Sequence, residues 1–277
     1  MYQSKHVIRD EKLPDVRDKM LDVIIDNLKK KSGTEAIFLG GSLANDNHDI
    51  YSDIDLRIVV TEDHYDEYIS NKQQIVSEFG EVLFYEDLYP SAPYTIAHYS
   101  TFIKVDMFIY AFSRFTPSIW VQNMKIIYDP SGQLQRLKEQ SNMIIYKVTK
   151  DDVKKWRGKV FSYIHEVYRR VMREEYYYAL TMMNNLRSCM VSGWNMEVDR
   201  HSNDLWDWSK IEGSRSRLDK GQLEMLENWF CNRDQEAIME TLSTIIPEFR
   251  RLHNVLCDKT GLESEEQKLD RIINQVL

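Results

Sequence analysis

Apolar positions along the first half of the chain change period several times. Val16, Met20, Val23, Ile24 and Leu28 recur at helical spacing and predict an opening helix. Residues 34–39 form a short apolar run that ends at Gly40-Gly41 and predicts a buried strand. Residues 53–60, rich in β-branched side chains, predict a second strand. A helix is expected over residues 65–79 and a third strand over 81–85, followed by a loop punctuated by Pro90 and Pro93. Residues 94–99 and 102–110 predict two further strands with a tight turn near Ser100-Thr101. The run Tyr128-Asp129-Pro130-Ser131-Gly132 is a strong turn signal and the expected domain boundary.

Past that turn the period is helical. Trp156, Val160, Ile164, Val167 and Val171 share one face of a helix that starts near Thr149-Lys150-Asp151-Asp152. Further helices are expected over residues 174–192, 222–230, 235–256 and 263–276, the third of these interrupted at Pro247. The expected fold class is α+β: a strand-bearing domain over residues 1–132 and a helical bundle over residues 133–277.

Chemistry enters at the end of the first strand. Gly40-Gly41-Ser42 can bring backbone N–H groups close to a phosphate. Asp53 and Asp55 follow in the second strand, where alternate side chains share a face. Two carboxylates on one face repel unless a cation neutralises them, and an oxygen-only site suits Mg²⁺. Asp106 sits inside the apolar strand 102–110, where an unneutralised acid is costly. Each piece has an ordinary alternative: a turn, a solvated strand end, and a pairing of Asp106 with Lys104 on the same face.

Together, a Gly-Ser turn, about ten residues, Asp-x-Asp and a third Asp on a later strand resemble the nucleotidyltransferase superfamily that includes DNA polymerase beta. The resemblance covers roughly the first half of the chain and implies a mixed sheet with flanking helices. With a helical second half, the chain looks like the antibiotic nucleotidyltransferases, in their aminoglycoside 6-adenylyltransferase (streptomycin) and lincosamide branches. The run from Ile127 to Leu134 is similar to the segment that closes their catalytic domain, and Arg173-Glu174-Glu175-Tyr176 with Ala179-Leu180 to the start of a C-terminal helix. Ser216-Arg217-Leu218-Asp219-Lys220 is similar to a stretch of the lincosamide branch.

The resemblance implies Mg²⁺-dependent transfer of AMP from ATP to a hydroxyl of an aminoglycoside or lincosamide, with release of pyrophosphate. Two Mg²⁺ ions would lie on Asp53 and Asp55, with Asp106 binding one of them. Gly41 and Ser42 would hold the triphosphate. Arg57, on the face of Asp53 and Asp55, is a candidate phosphate contact and equally a salt-bridge partner of the acids. Glu175 is the candidate general base, with Glu174 as its rival; both stand near a helix N-terminus. His48 is a weaker phosphate candidate. The stretch 194–208, with Trp194, Glu197, Asp199, Asp204, Trp206, Asp207 and Trp208, mixes aromatics and acids in a way that suits a cationic ring. Trp156, Trp206 and Trp229 read as core. Tyr176, Tyr177 and Tyr178 cannot all face one way on a helix. A homodimer is the assembly the resemblance raises.

Charge narrows the acceptor. Of the formal net charge of -8, all falls in residues 1–132, which carry 13 Lys and Arg against 21 Asp and Glu. A grip on a nucleic acid backbone needs the opposite sign. An RNA end is therefore disfavoured as acceptor, and a cationic small molecule fits. A protein acceptor, and a nucleotide-binding regulatory module without turnover, are the competing readings. The three widely spaced cysteines, the absence of a long apolar run and the charged first fifteen residues together suggest a cytoplasmic protein with no membrane span and no disulfide framework.

Overall fold

The computed structural model describes residues 4–87, 89–202 and 207–277. Two compact units result, Met1–Ile145 and Tyr146–Leu277. In chain order the first contains α1 (Val7–Asp10), α2 (Leu13–Lys30), β1 (Thr34–Leu39), α3 (Gly41–Ala44), β2 (Ile54–Val60), α4 (Glu62–Ser70) and α5 (Lys72–Ser77). It continues with β3 (Val82–Tyr85), β4 (Tyr94–Tyr99), β5 (Lys104–Ala111), β6 (Lys125–Tyr128) and α6 (Gln133–Asn142).

The six strands form one mixed sheet in the order β3-β4-β5-β2-β1-β6. Among the described residues only the β2–β5 pair is parallel. That pairing needs a long crossover, supplied by α4, α5 and the β3–β4 hairpin. Alternation along the strands decides which face is core. Ile54, Leu56 and Ile58 of β2 and Val105, Met107 and Ile109 of β5 are buried against Ile24 and Leu28 of α2 and Tyr68 and Ile75 from α4 and α5. Asp55, Arg57, Lys104, Asp106 and Phe108 of the same strands lie half-buried on the opposite face.

Several expectations change. The helix expected over residues 65–79 is two helices, broken at Asn71, whose backbone leaves the helical region (φ -104°, ψ 10°). At the break Lys72 is buried and donates to the carbonyls of Tyr89 and Ala92. Neither β6 nor α6 was anticipated, and the division between units falls at 145/146 rather than 132/133. Leu134 and Leu137 of α6 are buried in a cluster with Ala36, Phe38 and Val59, which ties this helix to the sheet.

The second unit is helical: α7 (Lys150–Met172), α8 (Tyr176–Glu197), α9 (Lys220–Asn228), α10 (Gln235–Thr260) and α11 (Glu266–Ile273). Thr149 and Asp152 form a reciprocal capping box at the start of α7. The expected stripe of Trp156, Val160, Ile164, Val167 and Val171 is buried, as is Trp229. Pro247 does not interrupt α10. It sits on the exposed face, so the carbonyl of Ser243 that loses its helical partner is open to water. Of the three consecutive tyrosines, Tyr176 packs partly against the core while Tyr177 and Tyr178 are exposed.

Gly193 in α8 marks where three helices close up. A Cβ there would stand 2.8 Å from Leu252 Cδ1 of α10 and 3.1 Å from Trp156 Cζ2 of α7. Gly193→Val should therefore cost about 2 kcal/mol by overpacking. Urea unfolding measures it, and an unchanged midpoint would mean the contact is slack.

Candidate active site

The site is built where β1 ends beside the start of β2. Leu39 pairs with Leu56, and the Gly40 N–H donates to the Asp55 carbonyl at 2.9 Å. The chain then turns sharply into α3 through Gly41, at φ +57°. A Cβ on Gly41 would lie 1.6 Å from Asp55 Oδ2. Glycine is thus demanded twice, by the left-handed backbone and by the carboxylate pressed against it. Asn45 Nδ2 donates to the Gly41 carbonyl at 2.6 Å, the Asn47 N–H donates to the Ser42 carbonyl, and Ser42 is buried.

The acids gather on the open sheet face. Asp55 and Asp106 are direct neighbours in the parallel β2–β5 register, and Asp53 stands just before β2. Arg57 Nη2 lies 3.3 Å from Asp55 Oδ1, while its Nη1 donates to the backbone carbonyls of Leu56 and Asp106. Its guanidinium also rests over the Phe108 ring at 4.1 Å. Lys104 bridges the other two acids: its Nζ is 2.8 Å from Asp53 Oδ2 and 3.1 Å from Asp106 Oδ2.

These contacts set the electrostatics. Burial pushes the Asp106 carboxyl above the usual carboxylate range; the Lys104 ammonium opposes the rise, and the charges of Asp53 and Asp55 add to it. Burial also works against the Lys104 ammonium, but the hydrogen bond to Asp53 and the charge of Asp106 hold it above its ordinary value. Asp106 Oδ1 is buried with no hydrogen-bond partner. An unpartnered buried oxygen among oxygen-only donors fits a hard divalent cation. Among the described residues, however, no three His, Cys, Asp or Glu side chains are gathered into a metal cage. What is assembled is a pair of carboxylates bridged by Lys104.

One positioning residue escaped the sequence reading. Arg17 of α2 is buried, and its Nη1 donates to the carbonyls of Asp49 at 2.8 Å and Ser52 at 3.3 Å. It fixes the connection that carries the chain from Ser42 to Asp53. The signal was an arginine inside the apolar stripe that Leu13, Met20, Ile24 and Leu28 make on the same helix. His48 lies exposed in that connection.

Gly41, Ser42, Asp53, Asp55, Arg57 and Asp106 therefore converge in the first unit. Glu175 belongs to the second, where it is the residue that precedes α8 and accepts a hydrogen bond from Arg170 Nη1 at 2.7 Å. Glu174, beside it, has a left-handed backbone (φ +57°). The aromatic and acidic stretch after Trp194 has structural partners. Trp194 is buried and donates to Glu248, Glu197 is clamped by Arg251 at 2.8 and 2.9 Å, and Asp199 pairs with Lys259. Asp207 accepts from the Ser209 N–H. Asp204 and Trp206 lie outside the described residues.

The sequence profile of the streptomycin adenylyltransferase family matches residues 16–276. No curated protein matches the chain. Among solved structures, an aminoglycoside 6-adenyltransferase from Bacillus subtilis is similar at 13% identity and a TM-score of 0.43, over 93% of this chain and 97% of that one. A nucleotidyltransferase-like protein from Exiguobacterium sibiricum is similar at 14% identity and 0.42, over 88% and 78%. At those scores the two likenesses add no weight. No helix among the described residues is long and apolar enough to cross a membrane. A profile that runs almost from end to end, over a chain whose Gly41-Ser42 turn meets three aspartates on one sheet face, identifies the protein as a nucleotidyltransferase of the streptomycin adenylyltransferase family.

Proposed function

We propose that the protein transfers AMP from ATP to a hydroxyl of an aminoglycoside of the streptomycin kind, releasing pyrophosphate. The observation that carries this reading is the contact of Gly41 with Asp55, with Asp106 beside Asp55 in register. It sets a sharp backbone turn directly against paired acids. The family supplies the class of donor and acceptor.

In this reading the first unit binds the nucleotide and the second helps to bind the acceptor. The Gly41-Ser42 turn holds the triphosphate through backbone N–H groups. Asp53, Asp55 and Asp106 would hold Mg²⁺, which supplies charge neutralisation at the reacting phosphate. Arg57, anchored on Phe108, adds a fixed positive charge beside Asp55. The acceptor oxygen attacks the α-phosphorus, the bond from that phosphorus to the bridging oxygen of the β-phosphate breaks, and pyrophosphate leaves. The hydroxyl proton goes to a carboxylate, for which Glu175 is the candidate and Glu174 the rival. The acidic balance of the first 132 residues favours a cationic acceptor through long-range attraction.

Incubation with ATP, Mg²⁺ and a panel of aminoglycosides plus a lincosamide, read by mass spectrometry, should show one acceptor gaining a single AMP. ATP binding without any such gain would remove the antibiotic reading, and a gain on the lincosamide alone would move it to that class. Asp55→Asn should lower turnover by at least about a thousandfold while circular dichroism and melting stay near wild type. Gly41→Ala should be as inactive, because the added methyl collides with Asp55; a variant retaining ATP affinity and turnover would show that the turn holds no phosphate. Glu175→Gln should lower kcat by about a hundredfold or more with little change in ATP affinity. The same loss from Glu174→Gln instead would move the base by one residue.

A further inference from the structure

This inference rests on the reading that Asp53, Asp55 and Asp106 hold a divalent cation, and concerns what neutralises them beforehand. Two positive side chains stand among the three acids, and they are held differently. Arg57 is fixed: it stacks on Phe108 at 4.1 Å and donates to two backbone carbonyls besides reaching Asp55. Lys104 is not. Its ammonium is held by carboxylates alone, Asp53 Oδ2 at 2.8 Å and Asp106 Oδ2 at 3.1 Å. It crosses from β5 to the residue before β2, spanning two of the three acids. Its side chain keeps 32% exposure, so its flexible stem has open solvent beside it.

The acids register that position. Each of Asp53 and Asp106 spends one oxygen on Lys104, while Asp106 Oδ1 stays buried without a partner. The ammonium's two contacts go to Asp53 Oδ2 and Asp106 Oδ2, and neither reaches that oxygen. Among the described residues no three acids are gathered into a cage, and between Asp53 and Asp106 stands a group with one positive charge where a hard cation would bring two.

We propose that Lys104 is the built-in counter-ion of the catalytic acids: its ammonium holds Asp53 and Asp106 while no divalent cation is bound, and gives up that place when one binds. Metal loading is then a competition. The apparent affinity for a divalent ion is weaker than that of the bare acids, and the acids stay neutralised and ordered in the metal-free protein. Arg57 stays in place throughout and keeps Asp55 oriented.

Two measurements on the full chain test this. In the first, the metal-free wild type is acetylated with an amine-reactive ester with and without saturating Mg²⁺, and the rate at each lysine is read by peptide mass spectrometry. Lys104 should react at least about fivefold faster with Mg²⁺. Lys72, buried on the carbonyls of Tyr89 and Ala92, should not change. In the second, Mn²⁺ binding is measured by electron paramagnetic resonance. Lys104→Met should bind Mn²⁺ at least about fivefold more tightly than wild type, having lost its competitor. Mn²⁺ binding to the wild type with no change in Lys104 reactivity would overturn the proposal, as would equal affinity in wild type and Lys104→Met. Should Lys104→Met fail to fold, the acetylation rates of the wild type decide alone. Absence of Mn²⁺ binding in both proteins would instead remove the metal reading of the acids, and this inference with it.

Discussion

Three carboxylates on one face of two adjacent strands repel one another, and the first unit is arranged around that repulsion. Parallel pairing of β2 with β5 puts Asp55 and Asp106 side by side at a fixed strand spacing, with no freedom to drift apart. Positive charge has to be supplied locally, and it comes from the same strands. Arg57 sits two residues beyond Asp55, and Lys104 two residues before Asp106, so the pleat places all four on one face. The turn at Gly41 belongs to the same arrangement. Asp55 approaches so closely that no side chain fits there, and the backbone itself becomes the neighbour of the acid.

The other face of the sheet makes this tolerable. Leu56, Ile58, Val105, Met107 and Ile109 are buried among α2, α4 and α5. That apolar layer fixes the register, because a slip of one residue would turn the acids into the core and the aliphatic side chains into water. Arg17 extends the same fixity to the loop. By holding the carbonyls of Asp49 and Ser52 from beneath, it brings Asp53 to the head of β2 rather than leaving it on a free connection. In the proposed reading the chemistry is therefore carried by the two central strands of the sheet, which suits transfer chemistry that depends on positioning.

Much of this was legible in the sequence because period and punctuation carry it. The strand before Gly40-Gly41, the Asp53-x-Asp55 strand and the strand holding Asp106 each announce themselves by alternation or by a β-branched run. What was missed depends on partners distant in the chain. β6 has four residues and α6 buries little beyond Leu134 and Leu137, so neither has a period of its own to read. The break at Asn71 follows from Lys72 turning inward to loop carbonyls seventeen and twenty residues away. The acids after Trp194 looked free because their partners, Arg251 and Lys259, lie more than fifty residues downstream. Lys104 was visible as a neighbour of Asp106, but its second bond, to Asp53, exists only through the β2–β5 pairing.

Asp106 shows what such a site costs the fold. Its carboxyl is pushed above the ordinary range chiefly by burial, and one oxygen has no partner. A carboxyl raised in this way disfavours the folded state wherever the unfolded chain would have it ionised. The penalty is absent below the ordinary carboxylate value and develops as the pH climbs through the raised one. An unsatisfied buried oxygen adds about 1–3 kcal/mol in the same direction. Asp106 lies on the half-buried face of β5, opposite Val105 and Met107, and still keeps one oxygen out of reach of water. The acid is thus placed against the interest of stability, and the Lys104 ammonium reduces that cost without abolishing it. If these acids hold a divalent cation as proposed, a cation reaching the bare oxygen would relieve what the lysine leaves, and its binding would be coupled to folding stability through this one side chain.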